Sequence, residues 1–333
     1  MIYRDRIYGK VNIKEPVILD LIKSPAIQRL KGIDQAGYHK LWLRPGAKLG
    51  RYNHSRFAHS IGVYIILRKY NAPFEEQVAG LIHDVSHSAF SHCIDYVLDV
   101  GSEKEHNHQD NIFVDFVKKS EIPTILQRYN LDLEYILDEK NFPLKEKDLP
   151  DLCADRIDYS LRTALIFNEV PQESVKYFLD SLTTENNNWV FKDLKSAKEY
   201  AELFLKLNRE YYASLTAAIM FKIIGDCLRY ALEKDILNGE DLYRTDKEVL
   251  KKIKRYLKKD KKLNFLFRRI DKQILPENNP EDFDSNIFCK SRIVDPLFHC
   301  NNSVVRLSEI DSKWKEVVKT ELQPKEYFLK FEN

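Results

Sequence analysis

The chain reads as a mainly α protein with a small α+β portion toward its C-terminus. Three observations carry that expectation. Apolar residues recur at helical spacing through most of the first 240 positions. Glycine is scarce, ten in 333 residues, and tight connections are what require it. From about Leu194 to Leu237 the helical pattern has no breaker except Gly225. Hydrophobic residues at 44% and aromatics at 12% supply a sizeable core and argue against disorder. The length suits one large domain with an appended part. We place the helical domain at 1–240 and the appended region at 241–333.

Taken in order, residues 1–14 read as a short extended lead-in with a turn at Tyr8-Gly9. A helix is expected from Pro16 to Gln35, where Ile18, Leu21, Ile22, Ile27 and Leu30 keep a 3.6-type spacing. Residues 37–53 are loop-like. Further helices are expected near 56–70, 74–84, 87–99, 107–119, 148–168 and 172–183. One short strand falls within 185–193. The stretch 194–237 reads as a long scaffold helix kinked near Gly225. Another helix follows Asp246, and Pro276 to Asp282 is a linker before the α+β tail.

The formal charge of +2 is nearly balanced, so no global field marks a nucleic-acid or membrane partner. Five cysteines (Cys93, Cys153, Cys227, Cys289, Cys300) lie far apart without a Cys-x-x-Cys. That pattern points to reduced thiols in a cytoplasmic setting, not a disulfide framework or zinc finger. The opening Met-Ile-Tyr-Arg-Asp-Arg has charges where a signal peptide needs an apolar core. The apolar run Ile61 to Leu67 is too short to span a bilayer. One basic stretch, 251–269, mixes lysines and arginines with Tyr256, Phe265 and Phe267. It could follow a nucleic-acid backbone, or be a solvated helix face with Ile253, Tyr256, Leu257 and Leu263 turned inward.

Chemistry concentrates at residues 83–95. His83, Asp84, His87, His92 and Asp95 fall within an apolar stretch, where buried imidazoles and carboxylates are costly unless paired, commonly with a divalent metal. His83 and Asp84 are neighbours, so both can reach one ion from a helix end. His87 shares a helical face with His83 if the helix continues, and His92 and Asp95 are one turn apart. His59 and Asp155 are outlying candidates. With His83 and Asp84 they give a two-His, two-carboxylate set suited to Fe, Mn, Zn or Ni, with positions left for water and substrate. His106 and His108, read singly, are exposed loop residues.

Three stretches together resemble a known family. They are Ser55-Arg-Phe-Ala-His59, the run His83-Asp84-x-x-His87-x-x-Phe-Ser-His92-x-x-Asp95, and Ala154-Asp155-Arg-Ile-Asp158-Tyr159-x-x-Arg162. In this order they are similar to the HD-domain phosphohydrolases, most closely the deoxynucleoside triphosphate triphosphohydrolase subgroup. The run Asp5-Arg-Ile-Tyr-Gly9 and the stretch from Ile22 through Gln28-Arg29 to Gln35 resemble that subgroup's opening.

The resemblance implies an HD-domain helical bundle over residues 1–240 and metal ligands His59, His83, Asp84 and Asp155. It implies a catalytic group of His87, His92 and Asp95, with His108 at the pocket edge. Arg56 and Arg156 would hold phosphate oxygens, Tyr159 would lie against the sugar, and Gln35 would touch the sugar or base. It also implies a homo-oligomer, dimer or tetramer, and Mg accompanying the substrate phosphates.

Three departures bear on function. Ser86 stands where the family has glycine. Thr163 stands where triphosphohydrolases carry an aspartate that grips the sugar 3′-hydroxyl. Lys23 stands where animal members carry an acid that reads an activating guanine. The expected activity is metal-dependent hydrolysis of a dNTP to deoxynucleoside and triphosphate. Thr163 keeps open a phosphatase or phosphodiesterase acting on a nucleoside monophosphate, cyclic nucleotide or oligonucleotide. The basic stretch keeps open a nucleic-acid-binding protein with a structural HD site.

Overall fold

The computed structural model of the chain describes residues 1–38, 54–98, 104–271 and 274–331. The expected loop over 37–53 lies, beyond residue 38, outside them. Strands β1 (Ile2–Asp5) and β2 (Gly9–Asn12) form an antiparallel hairpin pairing Ile2 with Asn12. Gly9, at φ +73°, closes its turn.

The single helix expected from Pro16 to Gln35 is instead α1 (Pro16–Lys23), α2 (Pro25–Arg29) and one 3-10 turn, Leu30–Gly32. Pro25 is the reason: a residue before proline is driven out of the helical region. Ser24 accordingly sits at ψ 146°, and its hydroxyl caps α2.

Helix α3 (Arg56–Lys69) starts at the Ser55 cap and is buried along nearly its whole length. It can be so because two apolar clusters flank it, one meeting Val63, Ile66 and Leu67 and the other Phe57, Ile61, Tyr64 and Ile65. Helix α4 (Phe74–Ile82) packs on α3. The helix expected over 87–99 is not formed. Residues 83–90 make turns, and only a 3-10 segment follows at Ser91–Tyr96. Phe90 (φ +60°) and Ser91 (φ +46°) break any α path. Distant groups hold this loop. Asp246 Oδ1 accepts the Phe90 N–H at 2.8 Å, and Arg29 donates to the carbonyls of Val85 and His87 at 2.6 and 2.8 Å.

Helices α5 (His108–Lys119), α6 (Ile122–Arg128) and α7 (Leu133–Leu137) come next, the last two not anticipated. Helix α8 (Ala154–Ile166) begins six residues after the expected start at 148, past Pro150 and an extended Cys153. Helix α9 (Gln172–Ser181) leads into a hairpin, not one strand: β3 (Leu182–Glu185) and β4 (Asn188–Phe191). Asn186 and Asn187 turn it in the left-handed region.

The expected long helix is two, α10 (Leu194–Leu207) and α11 (Leu215–Glu233). They are parted by a π-helical turn at Asn208–Tyr212 and a Ser214 cap, and not at Gly225. Gly225 lies inside α11, where a Cβ would come 3.2 Å from Tyr96.

Helices α12 (Asp246–Lys254) and α13 (Lys261–Ile270) turn Ile253, Leu263 and Phe267 inward, and Tyr256, in the turn between them, is exposed. The remainder is β5 (Glu277–Asn278), β6 (Ser285–Cys289), β7 (Leu297–Cys300), β8 (Ser303–Arg306), α14 (Leu307–Ile310), α15 (Ser312–Glu321) and β9 (Lys325–Lys330). β7 runs parallel to β4, pairing Leu297 with Val190, in the sheet β3-β4-β7-β8. A second sheet orders β5-β9-β6. Two of the apolar clusters draw residues from both sides of residue 240. Among the described residues no helix is long and apolar enough to cross a membrane.

Candidate metal centre and its cavity

His59 projects from the first turn of α3, His83 and Asp84 follow the end of α4, and Asp155 lies in the first turn of α8. The fold brings all four together. His59 Nε2 is 2.7 Å from Asp155 Oδ1, 3.3 Å from His83 Nε2 and 3.8 Å from Asp84 Oδ2. His83 Nε2 is 3.4 Å from Asp84 Oδ1 and 3.5 Å from Asp155 Oδ1.

The outer ring nitrogens decide what faces inward. His83 Nδ1 lies 2.8 Å from the Gly80 carbonyl, which can only accept, so that nitrogen carries the proton. His59 Nδ1 lies 2.8 Å from Asp158 Oδ1, and Asp158 is held ionised by Arg162. Both Nε2 lone pairs therefore point at each other and at two carboxylates. Facing acceptors without a proton among them repel, and a divalent cation between them removes the conflict. The donor set, with its outer nitrogens pinned, fits such an ion.

The carboxylates draw positive charge to this point. Burial disfavours a charged His59, yet hydrogen bonds to Asp155 and Asp158 outweigh it and lift its pKa to about 9, so a proton takes the cation's place when none is bound. Burial disfavours ionised Asp84, but the Arg56 guanidinium, 3.0 and 2.9 Å from its two oxygens, drives it well below the usual range. Asp155 is likewise lowered, its burial outweighed by His59 and His83.

Behind this centre Asp158 also accepts from Arg162 at 2.9 and 2.8 Å and from the Tyr8 hydroxyl at 3.0 Å, while Arg162 reaches Asp5 at 3.2 Å. The helix face opposite has no room for a side chain. A Cβ on Gly62 would lie 2.0 Å from Asp158 Oδ2 and 2.3 Å from Arg162 Nη2.

His87 Nε2 is 3.2 Å from Asp84 Oδ1, although no helix carries it there. Burial, then Arg56, lowers its pKa to about 4, so it is neutral at pH 7. His92 Nδ1 sits 3.4 Å from Asp95 Oδ2, and Asp95 Oδ1 accepts the His108 N–H at 3.0 Å. Burial lifts Asp95 to about 7.

His108 departs from expectation. It is buried, its Nε2 is 3.2 Å from the Tyr243 hydroxyl, and it is not among the cavity-lining residues. His106, read as an exposed loop residue, is buried, lines the cavity and stacks on His92 at 4.9 Å. The sequence hid this, because nothing in Glu105-His-Asn-His108 marks which imidazole turns inward.

The centre opens into a cavity of about 540 Å³ that Gln35, Arg56, Arg156, Tyr159 and Thr163 all line. Arg56 is already occupied by Asp84 and by Ser91 Oγ at 3.0 Å. Arg156 donates to the carbonyls of Lys147 and Asp151 and pairs with Glu146 at 3.1 Å. Gln35 Oε1 and the Tyr159 hydroxyl are buried without a hydrogen-bond partner among the described residues. Ser86 needs no positive φ, and its hydroxyl donates to the Gln109 carbonyl at 2.9 Å. Lys23 is exposed at the end of α1, outside the cavity. Lys145, Lys147, Tyr212, Lys290 and Arg292 also line it and were not anticipated. For the last two a signal existed, the alternation in Cys289-Lys-Ser-Arg-Ile293, but not the partner it packs on.

Residues 56–163 match the HD domain family. Over 314 residues the chain is 32% identical to the uncharacterized protein YdhJ of Bacillus subtilis, covering 94% of this chain and 93% of that one. It belongs to the HD-domain superfamily of metal-dependent phosphohydrolases. This HD protein is also 29% identical over 251 residues to the metal-dependent phosphohydrolase cns2 of Cordyceps militaris, covering 73% of this chain and 70% of that one. Similarity to the mouse deoxynucleoside triphosphate triphosphohydrolase SAMHD1 is shorter: 29% over 150 residues, 39% of this chain and 22% of that protein. The crystal structure of a phosphohydrolase from Bacteroides thetaiotaomicron shares the fold across 100% of both chains, with TM-score 0.74 at 17% identity. The HD match contains all four candidate ligands and stops well short of Tyr212, Lys290 and Arg292.

Proposed function

We propose that this HD protein hydrolyses a deoxynucleoside triphosphate to the deoxynucleoside and triphosphate. One observation carries the reading. The His/Asp centre opens into a single cavity holding basic side chains together with orphaned polar atoms, Gln35 Oε1 and the Tyr159 hydroxyl among them. Buried polar atoms are rarely left unpaired, and a sugar or base edge would satisfy these. Its volume lies within the roughly 300–1,000 Å³ of small-molecule sites. The partial likeness to the mouse triphosphohydrolase supports the same substrate class.

His59, His83, Asp84 and Asp155 would hold the divalent ion, Fe, Mn, Ni or Zn, with Mg accompanying the phosphates. Such an ion supplies Lewis acidity toward a phosphoryl oxygen and acidifies water. The side chains do the remainder. Arg56 keeps Asp84 ionised and aimed at the centre. His92, with Asp95 Oδ2 3.4 Å from its Nδ1, is the imidazole that would pass a proton to the leaving oxygen. His87, neutral, donates to Asp84 and stands beside the attacked phosphate. Tyr159 and Tyr212 lay an aromatic surface along the cavity.

Thr163 favours a second reading. It lines the cavity, buried, where a carboxylate would grip a 3′-hydroxyl, and a phosphatase or phosphodiesterase needs no such grip. A product-resolved screen with Mn or Mg tests both. Inorganic triphosphate from a dNTP is the expected result. Orthophosphate or a linear nucleotide instead of triphosphate would establish the second reading, and no phosphate product from any nucleotide would refute both.

A further inference from the structure

We propose that Lys290 and Arg292, on the extended strap that follows β6, grip the phosphates of the substrate that lie beyond the one at the metal centre. The inference rests on the nucleotide reading above. The strap is built for this. Along it Cys289, Ser291 and Ile293 are buried while Lys290 and Arg292 are only partly so, a period of two that puts both cations on the cavity side. Its backbone is stapled to the π-helical turn. The Asn208 side chain, fully buried, accepts the Arg292 N–H at 2.9 Å and donates to Ser291 Oγ at 2.9 Å and to Glu321 at 3.2 Å.

Charge pairing sets these two apart from three of the cavity's other cations, while the fourth, Lys147, has no acid among the described residues either and is taken up by the Asn188 side chain. Arg56 pairs with Asp84, Lys145 with Glu139 and Arg156 with Glu146. Among the described residues neither Lys290 nor Arg292 has a carboxylate within ion-pair distance. Lys290 Nζ donates to the Glu105 carbonyl at 2.6 Å, and Arg292 Nη1 to the Lys290 carbonyl at 3.2 Å. Glu105 and Asp110 line the same cavity but act on Lys290 only from farther off.

Two neighbouring, partly desolvated cations repel each other, and an anion between them relieves the cost. Burial, then the Arg292 charge, pulls the Lys290 ammonium below its ordinary range. The Arg292 charge is felt at His92, Asp95, Tyr159 and Tyr212. It is not among the main influences on His59, His83, Asp84 or Asp155. A guanidinium fork beside a compact ammonium suits a chain of phosphates rather than a single one.

The test is calorimetric titration of the Mn-loaded protein, freed of excess metal, with inorganic triphosphate and with orthophosphate. Arg292→Ala and Lys290→Gln should each weaken triphosphate binding about tenfold or more, leave orthophosphate within about threefold, and keep the metal content. Arg292→Lys should recover part of the loss. Wild-type triphosphate affinity in both variants would overturn the proposal. Should Arg292→Ala fail to fold, the Lys290→Gln variant, at a partly exposed position, decides alone. Nucleotide turnover measured alongside separates the two readings. Reduced triphosphate binding in the variants of a protein that hydrolyses no dNTP leaves the grip standing without the triphosphohydrolase. Unchanged binding in one that does hydrolyse dNTP leaves the reverse.

Discussion

On one wall of the cavity, His83, Asp84 and Asp155, with the fully buried His59 against them, sit at helix ends, aimed by partners close at hand: the Gly80 carbonyl, Arg56 and His59, and Asp158 for His59 itself. On the other wall Lys290 and Arg292 ride an extended strap whose position depends on Asn208, more than eighty residues away in sequence. The first wall is made of short motifs that carry their own geometry. The second is made of tertiary packing, with cations that have no acid of their own. On the functional reading proposed above, the contrast makes positioning a metal and positioning its substrate separate tasks. Damage to one wall should leave the other's signature intact.

The largest expected effect breaks the metal wall alone. Asp84→Asn keeps the shape and a hydrogen-bond partner for Arg56 but removes a negative charge from the centre. Metal per chain, read by mass spectrometry, should fall to a small fraction of wild type, and phosphate release to below about a thousandth. Triphosphate binding through the strap should persist in part. Full metal content in this variant would mean that Asp84 is not a ligand, and the comparison would lose its first term.

A smaller effect tests how rigid that wall must be. Gly62→Ala adds one methyl group to the face of α3 that meets Asp158 and Arg162. Neither can retreat, because Asp158 is fixed by His59, Arg162 and Tyr8 at once, and Arg162 by Asp5. Overpacking of this kind costs about 1–3 kcal/mol, readable as a lowered midpoint in denaturant. Metal affinity should fall with it, because His59 loses its anchor. Unchanged stability would show that the buried network yields more readily than its geometry implies.

What the sequence disclosed divides along the same line. The convergence of the candidate ligands was legible because His83-Asp84, His59 and Asp155 sit in stretches whose spacing survives even where the expected helix does not form. His87 reaches Asp84 from a turn, not from a continued helix, so the spacing mattered more than the element assigned to it. The inward turn of His106 in place of His108 was not legible. It depends on contacts with Tyr96 and Phe221, and no local pattern reports those. The break at Ser24-Pro25 could have been read from proline's effect on the preceding residue. The break at Asn208–Tyr212 could not, since leucine and tyrosine keep the helical period straight through it.

The smallest effect concerns Asp95, which lies between the two walls and belongs wholly to neither. Its carboxyl is pushed up to about 7, mainly by burial. The folded protein therefore keeps the proton up to about pH 7, while an unfolded chain releases it near 3.8. The stability this gives is complete below pH 3.8 and lost as pH rises through 7. Asparagine cannot ionise, so Asp95→Asn should gain on wild type as pH climbs from 5 to 8. The gain should be on the order of 1 kcal/mol, well below the full linkage, because buried sites relax and admit water. Thermal melts across that range measure it. Turnover should move the other way, since an amide cannot exchange a proton beside His92 as a carboxyl near its pKa can, a stability gained at the expense of activity. A midpoint difference that stays flat from pH 5 to 8 would mean that Asp95 is ionised throughout, paired with a charged His92. Proton transfer would then begin from an imidazolium already in place.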